Sequence, residues 1–202
     1  MDANAPAATS LNDKFELIRQ RLSPAASMPL PAMREQRAAA VLLPLVDRGG
    51  VPSMLYTRRA DRLKSHPGQV AFPGGRLDRG DHDLVSAALR ETHEEVGIHP
   101  SDVDVLGGFA GRRTLATNIM VTPFVGAILD GSKARPDPKE VAEIFYVPLA
   151  ALRDKRYRTK VQPALSTRVG ELPAITFEGY TIWGLTYYLT LSFLGLIAGT
   201  GL

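Results

Sequence analysis

The chain has 202 residues, of which 45% are apolar, and its formal net charge is +3. This length supports one sizeable core, so we expect a single domain over residues 10–202 behind a disordered lead at residues 1–9. The absence of cysteine excludes disulfides, thiolate metal sites and cysteine nucleophiles, and the absence of long Lys/Arg runs argues against a nucleic-acid partner.

Helices are predicted at the start, the middle and the end of the chain. Apolar residues share one face over residues 11–22, and the same periodicity recurs from Asp83 to Val96. Pro148 opens a short helix, and an apolar helix is expected over residues 180–202. Runs rich in β-formers predict the strands between these helices, at residues 37–47, 51–59, 69–75, 103–109, 119–129, 141–147, 157–162 and 173–177.

The arrangement of these elements predicts the fold class. The first two strands flank Arg48-Gly49-Gly50 and should form a hairpin. Strands outnumber helices, but the helices are spread along the chain, which is typical of a mixed sheet covered on both faces. We therefore expect an α/β (α+β) fold.

The C-terminal segment, residues 180–202, carries no charge and is almost long enough to span a bilayer. It also contains several Thr and Gly residues and lacks flanking Lys or Arg anchors, which argues against a membrane helix. We expect it to pack on the core, with membrane attachment as the alternative. Residues 1–9 lack the pattern of a secretory signal, so we expect a cytoplasmic protein.

The predicted helix from Asp83 to Val96 combines an apolar face with an acidic face. The apolar face is made of Val85, Leu89, Thr92 and Val96, and the acidic face of Glu91, Glu94 and Glu95. Like charges at these spacings repel by about 0.2–0.5 kcal/mol per pair, and Arg90 is the only cation in the last two turns. Clustered glutamates are ordinarily a solvated surface, but this cluster is uncompensated and suits a hard divalent cation, which prefers oxygen ligands.

A glycine pair precedes the acidic helix. Pro73-Gly74-Gly75 can bring the backbone close to a ligand, because glycine has no side chain in the way. Alone, such a pair usually marks only a turn. Its value as a signal comes from its fixed separation from the glutamates.

The residues from Gly75 to Ile98 resemble the Nudix box, G-x5-E-x7-R-E-U-x-E-E-x-G-U, where U is a bulky apolar residue. The second half matches from Arg90 onward, with Thr92 in the first U position. Counting back from Arg90, the first half is out of register by one residue. Asp81 nevertheless keeps a carboxylate, with five residues between it and Gly75.

The segment before the box resembles the coenzyme A pyrophosphatase subgroup of the Nudix hydrolases. The subgroup pattern is close to L-L-T-x-R-[SA]-x3-R-x3-G-x3-F-P-G-G, and residues 55–75, LYTRRADRLKSHPGQVAFPGG, differ from it at two positions. Tyr56 replaces Leu and keeps bulk, whereas Lys64 replaces Arg and loses the two-pronged guanidinium. Later segments also look similar, so the resemblance covers about residues 37–195.

The resemblance implies a Nudix-like α/β/α sandwich with the acidic helix packed on a mixed sheet. It implies hydrolysis of the pyrophosphate of coenzyme A and its derivatives, with Mg²⁺ or Mn²⁺ as cofactor. The products would be 3′-phosphoadenosine 5′-phosphate and 4′-phosphopantetheine or its acyl form. A homodimer is common in the family. The alternatives are a Nudix hydrolase of ADP-ribose, NADH or dinucleoside polyphosphates, and a Nudix-like binding module without turnover.

The resemblance also assigns metal and catalytic roles by matching positions. Metal coordination falls to Glu91, Glu94 and Glu95. Arg90 would orient a glutamate by ion pairing, or be an ordinary helix arginine. The general base would be Glu94 or Glu95, or Glu140 from a later loop, although Glu140 could equally be an exposed carboxylate at a strand end.

Substrate contacts are expected just before the box. Arg58, Arg59 and Lys64 form a basic set that could engage the pyrophosphate or the 3′-phosphate of coenzyme A. Gly74 and Gly75 would contribute backbone contacts to the substrate, and a carbonyl oxygen of one of them could serve as a further metal ligand. The rival interpretation of the basic side chains is ordinary surface solubility.

Overall fold

The computed structural model describes residues 11–28, 38–114, 117–129, 133–163 and 170–200. The predicted lead at residues 1–9 lies outside these ranges. The described helices are α1 (Leu11–Arg19), α2 (Leu84–Val96), α3 (Leu149–Arg153) and α4 (Gly184–Leu196). The described strands are β1 (Ala38–Asp47), β2 (Pro52–Arg59), β3 (Val70–Ala71), β4 (Gly74–Arg76), β5 (Val103–Gly108), β6 (Arg112–Arg113), β7 (Met120–Ile128), β8 (Val141–Pro148), β9 (Arg158–Val161), β10 (Leu172–Phe177) and β11 (Tyr180–Trp183).

The strands form one large mixed sheet and one small antiparallel sheet. The large sheet has the order β3-β2-β1-β7-β5, with β4 paired to β1, β6 to β7 and β8 to β2. β1 and β7 run parallel, and all other pairs of described strands are antiparallel. The small sheet has the order β11-β10-β9. The mixed sheet confirms the predicted fold class, and β1 and β2 form the predicted hairpin.

Both faces of the large sheet are covered, as expected for an α/β/α sandwich. One core cluster joins Ala87 and Ala88 of α2 to Leu42 of β1. The other joins the next residue of β1, Leu43, to α4 through Phe193 and to the small sheet. Successive strand residues point to opposite faces, so β1 contributes to both clusters. The acidic helix and the C-terminal helix therefore lie on opposite sides of the sheet.

The structure corrects the predicted end of the first helix. α1 ends at Arg19 rather than at residue 22. The reason is that Ser23 exchanges two backbone hydrogen bonds with Gly108 at the end of β5, each 2.9 Å long. Leu22 is still buried, so the predicted apolar face is kept although its last turn is not helical.

The prediction of a helix over residues 180–202 is wrong at both ends, because α4 covers only Gly184–Leu196 and residues 197–200 are not helical. Tyr180–Trp183 form β11, which pairs with β10. The turn between these strands is Glu178-Gly179, with φ angles of 48° and 88°, and a two-residue hairpin turn with positive φ at both positions matches the twist of the strands. In the part of the chain that the structure describes, no helix has the length and apolar character needed to cross a membrane.

Candidate active site

Both ends of α2 are fixed by local sequence. The Asp83 side chain accepts a hydrogen bond from the Ser86 amide at 2.7 Å, and the Ser86 hydroxyl accepts one from the Asp83 amide at 2.9 Å. This reciprocal pair is a capping box, which satisfies amides at the start of a helix. Gly97 ends the helix with a φ of 69°, and its amide donates to the His93 carbonyl at 2.9 Å.

The loop before β8 closes the C-terminal end of α2. The Arg135 amide donates to the Val96 carbonyl at 2.8 Å, and the Asp137 amide donates to the Glu95 carbonyl at 2.9 Å. These carbonyls would otherwise lack partners at the end of the helix. The same loop carries Glu140 close to Glu95, whose pKa is raised mainly by burial and to a smaller extent by the charge of Glu140.

Gly75 allows α2 to lie close to β4, and Gly74 allows β4 to lie close to β1. A Cβ atom on Gly75 would lie 2.3 Å from the Cδ atom of Glu91, and one on Gly74 would lie 2.4 Å from the Ala40 carbonyl oxygen. The Gly74 amide donates to Oε2 of Glu95 at 3.3 Å. The glycine pair predicts a close approach of the backbone to a ligand, and in the structure this backbone lies against the carboxylates of Glu91 and Glu95.

Glu95 does not lie on the exposed face of α2 that the sequence predicted. Its side chain is 6% exposed, whereas that of Glu94 is 56% exposed. The buried face of the helix consists of Leu84, Ala87, Ala88, Thr92, Glu95 and Val96. It is rotated relative to the predicted apolar arc, because Gly75 lets β4 cover this side of the helix.

Arg90 compensates the acidic face. Its Nε and Nη2 atoms donate to the two oxygens of Asp81, each at 3.0 Å. Its Nη1 atom donates to Oε1 of Glu91 and Oε2 of Glu94, also at 3.0 Å each. The interpretation of these glutamates as uncompensated is therefore wrong, since Arg90 reaches both. The bidentate contact with Arg90 also holds the pKa of Asp81 below its ordinary value.

Burial sets the electrostatics of the site. Loss of solvent raises the pKa of the Glu95 carboxyl to about 8, and the nearby charges of Glu91 and Glu140 act in the same direction. The Gly74 amide and Arg59, whose Nη1 atom lies 4.0 Å from Oε1 of Glu95, oppose the shift. Burial raises the pKa of Glu91 as well.

Comparison with known proteins places this geometry in a family. Residues 35–166 match the family model of the NUDIX domain. The Nudix hydrolase NudL of Enterobacter sp. (strain 638) is 39% identical over 177 residues, which are 86% of this chain and 85% of that protein. The chain belongs to the Nudix family.

A second relative and a solved structure support the assignment. The Nudix hydrolase NudL of Citrobacter koseri is 42% identical over 155 residues, 75% of this chain and 78% of that protein. The crystal structure of a MutT/Nudix family protein from Enterococcus faecalis superimposes with a TM-score of 0.53 at 13% identity, over 94% of this chain and 75% of the other. The latter likeness shows the Nudix fold. The chain is a Nudix hydrolase acting on a diphosphate, a class that generally uses divalent metal ions.

The Nudix helix α2 offers a donor set that fits a divalent cation. Mg²⁺ and Mn²⁺ prefer oxygen ligands, and two carboxylates, the half-buried Glu91 and the buried Glu95, meet at the glycine pair. Among the described residues, no three His, Asp or Glu side chains are gathered around one point that could hold an ion. Glu94 instead bonds to Arg90, and Glu95 to the Gly74 amide.

The three basic residues expected to contact substrate have different surroundings. The Arg58 guanidinium bonds to Glu143 and to Asp61, the latter at 2.8 Å. Arg59 faces the Nudix helix, and its buried Nε atom has no hydrogen-bond partner among the described residues. Lys64 is exposed on the loop that follows β2. The structure thus brings Arg59, but not Arg58, to the glutamates.

The sequence does not indicate the acidic partners of Arg90 and Arg58. The position of Asp81 in the Nudix box is a signal for a carboxylate there, but it does not show that the buried Asp81 side chain binds Arg90. Glu143 accepts hydrogen bonds from Arg58 and from the Tyr180 hydroxyl, the latter at 2.7 Å. Glu143 lies 85 positions from Arg58 in the sequence, so no local pattern indicates the pair.

Proposed function

We propose that this Nudix hydrolase cleaves the pyrophosphate of coenzyme A and its derivatives in a divalent-metal-dependent reaction. The products would be 3′-phosphoadenosine 5′-phosphate and 4′-phosphopantetheine or its acyl form. The observation that carries the proposal is the position of residues 55–75, the segment that resembles the coenzyme A pyrophosphatases. This segment runs from β2 to the glycine pair, and its Arg59 lies 4.0 Å from Glu95 of the Nudix helix.

We assign the metal to the acidic residues of the Nudix helix. Glu91, Glu94 and Glu95 would hold Mg²⁺ or Mn²⁺, with a backbone carbonyl of Gly74 or Gly75 as a further ligand. When bound, the ion supplies Lewis-acid polarisation of the diphosphate and a more acidic water molecule.

Arg90 orients the carboxylates in this proposal. It holds Glu91 and Glu94 through one nitrogen, while the two bonds to Asp81 fix its own plane. A buried, bidentate partner makes the position of Arg90 much better defined than that of a surface arginine. The interpretation of Arg90 as an ordinary helix residue is therefore less favoured.

The proton of the attacking water would pass to Glu94, Glu95 or Glu140. Glu94 is exposed, Glu95 is buried against Gly74, and Glu140 lies on the neighbouring loop. Glu140 is the candidate that is not also assigned to the metal. A glutamine variant at each position separates the roles, because loss of a general base removes the corresponding limb of the pH–rate profile.

We assign contacts with the phosphates to Arg59 and Lys64 and a positioning role to Arg58. The Arg58 guanidinium is already bonded to the carboxylates of Glu143 and Asp61. These bonds connect the end of β2 to β8 and to the loop that follows β2. The buried Nε of Arg59 has no hydrogen-bond partner within the described ranges, and Lys64 is exposed, so both can approach phosphate groups of the substrate. The cytoplasmic location and the homodimer expected from the sequence remain predictions.

The proposal is tested by a substrate panel. The protein is incubated with coenzyme A, ADP-ribose, NADH and diadenosine polyphosphates in the presence of Mg²⁺, and the products are identified by mass spectrometry. We expect the highest kcat/KM for coenzyme A or an acyl derivative, with phosphopantetheine as a product. Mn²⁺ is compared in a parallel series.

Two variants control for contaminating activity. Glu94→Gln and Glu95→Gln should each lower kcat by about two orders of magnitude or more with an unchanged circular dichroism spectrum. Glu171→Gln, an exposed carboxylate of the small sheet region, should behave as wild type. Preference for another panel member would replace the substrate assignment, and lack of turnover on every member would favour a binding module.

A further inference from the structure

A groove of about 670 Å³ lies beside the loop that follows β2. One side is formed by residues 64–69, and the other by residues 161–163 at the end of β9 together with Trp183 at the end of β11. We refer to it as the Trp183 groove. None of the lining residues that the structure describes belongs to the set assigned above to the metal and to catalysis, and Lys64 at its edge is assigned above to a phosphate contact.

The Trp183 groove adjoins the acidic site through one residue. The Gly68 amide donates to the Arg59 carbonyl at 3.2 Å, and the Arg59 amide donates to the Gln69 carbonyl at 2.9 Å. The side chain of the same Arg59 lies 4.0 Å from Glu95. If the diphosphate of a substrate lies at the glutamates, one end of that substrate can therefore extend into the groove.

The lining of the groove combines an aromatic ring with positive charge. Trp183 is half-buried, and apolar surface comes from Pro67 and Val161. Lys64 and His66 contribute the ionisable side chains, both exposed, and the described lining residues include no Asp or Glu. His66 also has a left-handed backbone with a φ of 55°, a conformation that non-glycine residues adopt rarely and that is enriched at ligand sites.

We propose that the Trp183 groove binds the 3′-phosphoadenosine end of the substrate. This inference rests on the proposed function, and it specifies which half of coenzyme A is recognised beyond the diphosphate. The adenine ring would pack on Trp183, because base–indole stacking is favourable for any nucleobase. The 3′-phosphate would be held by Lys64, as a point charge suits a phosphate dianion.

The charge of the groove decides between the two halves of coenzyme A. The pantetheine arm is neutral, so it would derive no benefit from Lys64 and His66. The 3′-phosphate carries close to two negative charges near pH 7 and matches a lining without carboxylates. The adenosine half is therefore the better match, and pantetheine is the competing occupant.

The test uses Trp183 as its own reporter, since it is the only tryptophan in the chain. The full chain is titrated, without metal, with adenosine 3′,5′-bisphosphate and with adenosine 5′-monophosphate while tryptophan fluorescence is recorded. We expect a saturable change with the bisphosphate and an affinity about tenfold lower for the monophosphate, as for the loss of one charged hydrogen bond. Inorganic phosphate should leave the fluorescence unchanged.

A matched pair of lysine variants assigns the phosphate contact. Lys64→Met should bring the two dissociation constants close together, because it removes the partner of the 3′-phosphate. Lys155→Met, at an exposed lysine between α3 and β9, should keep the difference between them. Both side chains are exposed, so neither substitution should disturb folding.

The outcomes separate this inference from the proposed function. No change in fluorescence with the bisphosphate, a change caused instead by 4′-phosphopantetheine, or an unaltered ratio in Lys64→Met would each overturn the assignment of the groove. If the bisphosphate changes the fluorescence but the protein does not cleave coenzyme A, the groove assignment stands and coenzyme A is rejected as the substrate. If the protein cleaves coenzyme A but the bisphosphate does not change the fluorescence, the substrate assignment stands and the groove assignment is rejected.

Discussion

Glu95 is a carboxyl group whose burial opposes its ionisation. Its side chain is 6% exposed, its hydrogen bond from the Gly74 amide is 3.3 Å long, and Arg59 lies 4.0 Å away. These contacts are too long to offset the loss of solvent, so the pKa rises to about 8. A divalent cation would remove this penalty, because a metal ligand must be deprotonated and binding therefore competes with the proton.

The first prediction concerns stability at the Glu95 position. Its pKa is raised above its ordinary value of 4.5, so between pH 5 and pH 8 the unfolded chain releases a proton that the folded chain retains. Stability contributed by this group is therefore full at low pH and is lost as the pH rises. In metal-free protein, the free energy of unfolding of Glu95→Gln minus that of the wild type should therefore be larger at pH 8 than at pH 5. The increase should be a few kcal/mol at most, at ~1.4 kcal/mol per pKa unit.

Urea denaturation followed by circular dichroism at the two pH values measures this effect. Glu94→Gln is the matched control, because Glu94 is 56% exposed on the same helix and should show no comparable pH-dependent gain. If the difference between Glu95→Gln and wild type is the same at both pH values, Glu95 does not titrate as the structure indicates.

At the scale of elements, the position of α2 on β4 depends on the missing side chain of Gly75, whereas the missing side chain of Gly74 lets β4 pair closely with β1. The helix approaches the strand until the Glu91 carboxylate occupies the place of a Cβ atom on Gly75. The capping box at Asp83 and the loop amides at Arg135 and Asp137 then fix the helix along its axis. Backbone geometry thus places the helix that carries the carboxylates, and Arg90 then orients Glu91 and Glu94.

The second prediction is that Gly75→Ala impairs the site more than the fold. The added Cβ atom would lie 2.3 Å from Cδ of Glu91, so the carboxylate must move. We expect kcat/KM to fall by about tenfold or more, in line with displaced ligands in other metal sites, with an unchanged circular dichroism spectrum. Gly80→Ala is the control, because a Cβ atom there meets no neighbour within 4 Å. Equal activities of the two variants would contradict the account.

Most elements could be predicted from the sequence because their signals are local. Apolar runs rich in β-formers predicted β1, β2, β7 and β8 to within about two residues, and apolar periodicity predicted α2. The failures occur where a distant contact overrides local preference. Residues 20–22 leave α1 because Ser23 pairs with Gly108, and residues 180–183 join a sheet rather than a helix because a tight turn at Glu178-Gly179 directs them onto β10.

The candidate site was predicted less completely than the fold, for the same reason. The glutamates and glycines could be found because the Nudix box is a local motif. The burial of Glu95, the Asp81–Arg90 pair and the Arg58–Glu143 pair depend on which side of the helix the sheet covers and on residues far apart in the sequence. Helical periodicity places a residue on an arc, but small differences in packing decide whether the edge of that arc is buried.

At the scale of the whole molecule, the C-terminal helix supports the segment that carries the substrate motif. The Tyr56 hydroxyl bonds to Thr190 of α4 at 2.9 Å, and the Tyr56 ring stacks on Phe72 at a centroid distance of 4.8 Å. The Thr186 hydroxyl of α4 donates to the Val70 carbonyl at 3.0 Å. The apolar character of α4 is explained by the burial of Leu189, Phe193 and Leu194 in the core cluster that also contains Tyr56.

The third prediction tests this support. Phe193 of α4 is fully buried, so Phe193→Ala should lower the free energy of unfolding by about 3–5 kcal/mol through lost burial and a cavity. Tyr188→Ala, on the same helix at 38% exposure, should cost about 1 kcal/mol or less. Thermal or urea denaturation distinguishes them. Similar losses in both variants would contradict the burial of α4 on the core.

The proposed metal site depends on Glu91 and Glu95 of the Nudix helix holding a divalent cation. Titration of Mn²⁺ followed by electron paramagnetic resonance measures this directly, because the signal of free Mn²⁺ decreases as the ion binds. Wild-type protein should bind Mn²⁺ saturably, and the double variant Glu91→Gln plus Glu95→Gln should lose at least about tenfold in affinity while its circular dichroism spectrum is unchanged. Equal Mn²⁺ affinity in the wild type and the folded double variant would contradict the claim.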